Sequence, residues 1–135
     1  MKHIYEAKIY HADTDCYGVV WHGTYLRLCE LARCEFASKS SLPMEKIEEK
    51  GFCLLLTEAN LKYKFPARVH DEIIIETSLE KLTPLRAMMS QKIINKKTGQ
   101  SLVDVMVTFV CTDKNGNLCR KMPQEVFDML KSLQD

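Results

Sequence analysis

The sequence predicts an α+β domain in which a curved antiparallel β-sheet wraps around one long central helix. Three observations predict it. One segment, His22 to about Ser38, carries apolar residues at helical spacing. The stretches after it alternate, or run apolar, at strand length between Pro, Gly and Asn breakers. The chain has 135 residues, enough for one core, so residues 1–135 form a single domain. Consecutive strands with one segregated helix fit α+β and not a parallel βαβ arrangement.

Residues 3–11 open the chain as a strand with one imperfect half-buried face, where Ile4, Ala7 and Ile9 mix with Tyr5 and Tyr10. Residues 12–20 break that pattern with two Asp and a Gly and form a loop. Tyr25, Leu28, Cys29, Ala32 and Phe36 then follow i, i+3, i+4, i+7, i+11 spacing; Leu26 and Leu31 broaden the stripe, so this helix is expected to be largely buried. Pro43 to Lys50 gives one or two helical turns closed by Gly51. Phe52 to Phe65 is a strand with Ala59, Leu61, Tyr63 and Phe65 on one face, ended by Pro66. Glu72 to Thr83 sets Ile73, Ile75, Thr77 and Leu79 against Glu72, Glu76, Ser78 and Glu80. Leu85 to Asn95 and Ser101 to Thr112 follow, the latter apolar on both faces as a central strand would be. Asn115-Gly116 marks a tight turn, and Pro123 starts a short C-terminal helix.

Composition excludes several functions. Nineteen Lys and Arg against 18 Asp and Glu leave a net charge of +1, too neutral for nucleic acid as the main partner. No apolar run approaches the ~20 residues of a membrane span. The N-terminus lacks the apolar stretch of a signal peptide, so a soluble, cytoplasmic protein is expected. Six cysteines without a CxxC pair point to reduced thiols, most of them buried as small hydrophobes.

The chemistry concentrates in the loop and helix entry from His11 to Tyr25. A helix start offers unpaired N–H groups and positive dipole density, which suit a developing oxyanion. A carboxylate shortly upstream can serve as base or nucleophile. Asp15, seven residues before His22, is placed to fold back over the helix entry. Simpler roles stand beside these. Asp13 and Asp15 both suit turn residues that bond nearby amides. His22 suits a hydrogen-bonded core histidine. An EF-hand is rejected, since Tyr17 and Thr24 fall where ligands are needed. His11, Asp13, Asp15 and His22 match no standard metal motif, and no G-x-S-x-G elbow occurs.

Asp13 to Tyr25, read as D-T-D-x-x-G-V-V-x-H-x-x-Y, resembles the signature of hotdog-fold acyl-CoA thioesterases, in particular the 4-hydroxybenzoyl-CoA thioesterase-like group with its Tol-Pal-associated type. Glu30-Leu31-Ala32-Arg33, Tyr63-Lys64-Phe65-Pro66-Ala67 with Asp71, and Arg120-Lys121-Met122-Pro123 extend the likeness over nearly the whole chain. The resemblance implies that Asp15 is the essential carboxylate, attacking the thioester carbonyl or activating water to do so. It implies that backbone N–H near His22 holds the thioester oxygen and that the His22 side chain orients substrate or water. Gly18 would permit the turn, and Tyr25 would line the acyl pocket. Trp21 departs from the family's usual Tyr or Phe.

The family also implies a homodimer joined edge to edge, or a homotetramer, with the site between subunits and no cofactor. Arg86, Arg120 and Lys121 are then candidates for the phosphates of the acyl-CoA substrate, against plain solvated charges. Three rivals stand beside this reading: a thioesterase acting on acyl carrier protein, a non-catalytic acyl-binding hotdog protein, and a hotdog dehydratase.

Overall fold

The computed structural model describes residues 1–134. Strand β1 (Lys2–Lys8) leads through a 3-10 turn at His11–Asp13 and a folded loop into helix α1 (Thr24–Ser38). Helix α2 (Met44–Glu49) precedes β2 (Phe52–Tyr63), β3 (Glu72–Leu82), β4 (Arg86–Asn95) and β5 (Ser101–Asp113), and α3 (Gln124–Gln134) ends the chain. The five strands form one antiparallel sheet in the order β1-β3-β4-β5-β2. This is the α+β architecture that the sequence predicts.

Helix α1 buries Tyr25, Leu28, Cys29, Ala32 and Phe36, the predicted stripe. Leu26 and Leu31 do not widen it: they stay 38% and 39% exposed, because only one side of α1 packs on the protein. Strand β3 keeps its predicted alternation, with Ile73, Ile75, Thr77 and Leu79 inward. Buried Gln91 on β4 ties helix to sheet, donating to the Cys29 carbonyl at 2.9 Å and to Thr77 Oγ1 at 3.1 Å.

Three boundaries and two placements differ from the sequence reading. Strand β1 stops at Lys8 because the chain tightens at His11–Asp13, where Asp13 Oδ2 accepts the Tyr10 N–H at 2.9 Å. Helix α1 begins at Thr24 and not at His22. Strand β2 ends at Tyr63, and it is an edge strand, so Tyr63 and Phe65 are about half exposed instead of lining a buried face. Strand β5, flanked by β4 and β2, has the interior position that its apolar faces predict. All six cysteines are free thiols, yet only Cys29 and Cys111 are buried. Cys16, Cys34 and Cys53 are exposed, on the loop, on α1 and on the edge strand. Among the described residues no helix is long and apolar enough to cross a membrane.

Candidate active site

The loop before α1 is a small hairpin. Thr14 bridges Val20, the Asp15 N–H donates to the Val19 carbonyl at 2.9 Å, and the Trp21 N–H donates to the Asp13 carbonyl at 2.9 Å. Gly18 turns its tip with φ of +76°, a left-handed conformation that glycine adopts without the Cβ penalty. Its N–H closes the turn onto the Asp15 carbonyl at 3.1 Å. The outer arm is sewn to the segment that follows β2: Val19 bridges Arg68, and the Val20 N–H donates to the Ala67 carbonyl at 2.8 Å.

Asp15 is half-buried on this hairpin. Its Oδ1 accepts the Tyr17 N–H at 2.8 Å, so the side chain has the turn role that its position suggested. That bond fixes one carboxylate oxygen and leaves Oδ2 without a protein partner among the described residues. Asp13 is wholly structural in its contacts. Its Oδ2 caps the turn, and its carbonyl accepts the Trp21 N–H and the Thr24 hydroxyl.

His22 is exposed, which removes the core-histidine alternative. Its ring lies against Trp21 with centroids 5.0 Å apart, and its carbonyl accepts the Tyr63 hydroxyl at 3.1 Å. Among the described residues the N–H groups of His22 and Gly23 have no acceptor, whereas those of Trp21 and Thr24 are satisfied. Two unspent donors therefore stand at the entry of a 15-residue helix, where the dipole adds positive potential. No hydrogen bond joins the Asp15 carboxylate to His22.

His22 opens onto a cleft of about 190 Å³ walled by Val20, Tyr25, Tyr63, Lys64, Phe65 and Pro66. Tyr25 is 2% exposed, and its hydroxyl accepts the Ala67 N–H at 3.0 Å. Burial raises its pKa above the usual phenol value, and the Ala67 bond works against that. Tyr25 anchors the turn at residues 66–67 and lines the cleft from a buried position. Sequence reasoning placed Tyr63 in a strand face and missed its hold on the helix entry. The Y-x-x-P-A pattern was the signal that could have found it.

Trp21 folds back over Gly23 so closely that a Cβ on Gly23 would overlap the indole. Gly23 thus lets Trp21 cover the helix entry, a dependence that no spacing rule reveals.

The three candidate CoA cations lie elsewhere. Arg86 starts β4 opposite Val110, and the Met122 N–H donates to the Pro84 carbonyl at 2.8 Å, which brings the exposed Arg120–Lys121 segment to the same turn. The loop end of the sheet is at Leu102, whose carbonyl accepts the Lys64 N–H at 2.8 Å. Eight residues of β5 separate the two ends, about 27 Å. Within one protomer the cations do not meet Asp15. His11, Asp13, Asp15 and His22 do not converge either: among the described residues no group of three or more His, Cys, Asp or Glu side chains could hold a metal ion.

Residues 9–130 match the family model of the thioesterase-like superfamily. The acyl-CoA thioester hydrolase YbgC of Escherichia coli is 25% identical over 119 residues, 88% of each chain. A 1,4-dihydroxy-2-naphthoyl-CoA hydrolase of Synechocystis is 28% identical over 108 residues, 79% of this chain and 78% of that one. The crystal structure of a 1,4-dihydroxy-2-naphthoyl-CoA thioesterase from Synechocystis superposes with a TM-score of 0.88 over 100% of this chain and 99% of the other, at 24% identity, a likeness of fold. The chain belongs to the thioesterase-like superfamily, as a thioester hydrolase built on the hotdog fold.

Proposed function

We propose that the protein hydrolyses an acyl-CoA thioester to the free acid and CoA. Asp15 acts as general base or nucleophile, and the N–H groups at the start of α1 act as oxyanion donors. The observation that carries this reading is the hairpin itself. It sets a carboxylate with one free oxygen on a loop whose other arm enters a helix through two unspent N–H groups.

As base, Asp15 takes a proton from water while the water oxygen bonds to the thioester carbon. As nucleophile, its own oxygen forms that bond, and water later cleaves the resulting anhydride. In both routes the carbonyl oxygen gains the charge that His22 and Gly23 N–H would accept. The C–S bond then breaks, and CoA leaves as thiolate. His22 and Tyr63 orient the thioester in the cleft, His22 with its ring and Tyr63 through its hold on the His22 carbonyl. Tyr25 acts through the turn that it anchors.

The working unit in this reading is a dimer joined through β2. Edge strand β1 is seven residues long, with Lys2, Glu6 and Lys8 around exposed Ile4, whereas β2 runs twelve residues and carries exposed Leu55 and Leu56 side by side. Antiparallel pairing of β2 with its own copy exchanges the two ends of the sheet. The partner's Arg86, Arg120 and Lys121 then come to the end that holds this chain's Asp15, where the CoA phosphates need cations.

The test is steady-state hydrolysis across a panel of acyl-CoAs, with Asp15→Asn as the control variant. Turnover that disappears with Asp15→Asn in a folded protein supports the reading; turnover of none of the panel by the unaltered protein ends it. Label on the Asp15 carboxylate after a single turnover in ¹⁸O-labelled water would establish the nucleophilic route, with water attacking the Asp15 carbon of the anhydride.

A further inference from the structure

A second cavity, of about 100 Å³, lies between α1, α3 and the sheet. Its wall is mainly apolar, from Met44, Leu54, Met89, Phe109, Met129 and Leu130. One cation stands in that wall. Arg33 donates to Gln91 Oε1 at 2.8 Å, and its guanidinium carbon lies 5.2 Å from the centroid of the Phe109 ring. Gln91 is neutral and spends its NH₂ on Cys29 and Thr77, so it offers no counter-charge. None of the ion pairs among the described residues includes Arg33. Glu30, one turn earlier on α1, also lines the cavity but is not paired with Arg33.

A guanidinium has five N–H donors, and Gln91 is the only hydrogen-bond acceptor of Arg33 among the described residues. Every side-chain N or O sealed from solvent has a partner among them. The unspent donors of Arg33 are therefore not sealed in, and Arg33 is one of the residues that line the cavity. A half-buried cation in an apolar wall is complementary to a ligand with an apolar body and an accepting oxygen at its end. The volume suits only a small group, since it lies below the ~150 Å³ of an apolar cavity that takes a benzene ring.

We infer that this cavity takes the far end of the acyl group and that Arg33 selects acyl groups carrying an anionic or strongly accepting oxygen there. The inference rests on the dimer and the reaction proposed above. Antiparallel pairing of β2 sets the Leu54 end of one strand beside the Tyr63 end of the other, so each cavity lies next to the partner's Asp15 loop. Arg33 is thus a specificity residue and takes no part in the bond changes.

The experiment compares kcat/KM for glutaryl-CoA and pentanoyl-CoA, which differ only in a terminal carboxylate for a terminal methyl. The unaltered protein is expected to favour glutaryl-CoA by roughly 10- to 100-fold, the scale of a hydrogen bond to a charged group. Arg33→Met should remove or invert that preference. Arg33→Lys, which keeps the charge, should retain part of the preference. Thermal unfolding of each variant shows whether loss of the Gln91 bond has damaged the fold. Turnover of both substrates without preference in the unaltered protein overturns the inference, a reading that needs no variant at all. A preference that survives in folded Arg33→Met also overturns it. Turnover of neither these nor any other acyl-CoA would instead defeat the reaction proposed above.

Discussion

Asp13 and Asp15 are two residues apart and chemically identical, yet their contacts separate them. Asp13 spends its side chain on the Tyr10 N–H, so its removal costs stability. Asp15 spends one oxygen on the Tyr17 N–H and keeps the other. Asp15→Asn is expected to lower kcat by ~10²–10⁴, the scale of a general acid–base group. Its melting temperature should stay near that of the unaltered protein, since Asn can still accept from Tyr17. Asp13→Ala is expected to do the reverse, losing about 1 kcal/mol of stability for one hydrogen bond and much less activity. Steady-state kinetics beside urea unfolding checks both; equal kinetic losses would show that the carboxylates act together. Spacing alone left both residues as turn formers, and only the family likeness separated them. The side-chain partners that distinguish them are products of the folded hairpin.

At the scale of elements, the stripe on α1 and the alternation of β3 were legible because each repeats a period that one packed face imposes. The placement of β2 was not. Its pattern of Ala59, Leu61, Tyr63 and Phe65 is that of a half-buried strand, and an edge position depends on which strands pair, which local pattern does not encode. The helix entry was missed for a similar reason: Trp21 over Gly23 is a contact between a ring and an absent side chain. Gly23→Ala is expected to displace Trp21 and raise KM more than it lowers melting temperature, because the indole is half exposed and free to move. Loss of indole fluorescence change on substrate binding would accompany it; unchanged fluorescence and KM would refute the packing role. The core of this layer also sets a pH limit. Burial pushes the Cys29 thiol up to about 12, and burial with neighbouring Cys119 does the same for Cys111. Folded-state values above the unfolded one, near 8.5, mean that the unfolded chain loses these protons first. Stability from this source is complete below about pH 8.5 and falls as pH rises through the folded-state values. The urea midpoint should therefore drop between pH 8 and pH 10.5, and Cys29→Ala should flatten that fall.

Across the whole molecule, the two halves of the proposed site lie toward opposite ends of a stretch of β5 about 27 Å long, and in the proposed reading one protomer alone does not bring them together. The sequence carried both halves, in Asp13 to Tyr25 and in Arg120-Lys121, but not their separation, which follows from strand order. A dimer through β2 closes the gap without rearranging either half. It also accounts for exposed Leu55 and Leu56 on an edge that otherwise invites uncontrolled pairing. An obligate interface of this kind buries roughly 2,000 Å² or more, so the unaltered protein should be a stable dimer, or a pair of dimers, in light scattering at micromolar concentration. Leu55→Lys with Leu56→Lys places four like charges across the twofold and should yield a monomer. Neither residue lines the cleft at His22 or the cavity at Arg33. Lost activity in a folded monomer would therefore arise from losing the partner's cations and cavity, not from damage to the Asp15 loop. The substrate then separates the two contributions. A short-thiol thioester needs no phosphate contacts, so it should retain more of its turnover in the monomer than the matching acyl-CoA does. A folded monomer that hydrolyses acyl-CoA at the full rate would mean that one chain suffices, and that Arg86, Arg120 and Lys121 are surface charges with no part in binding.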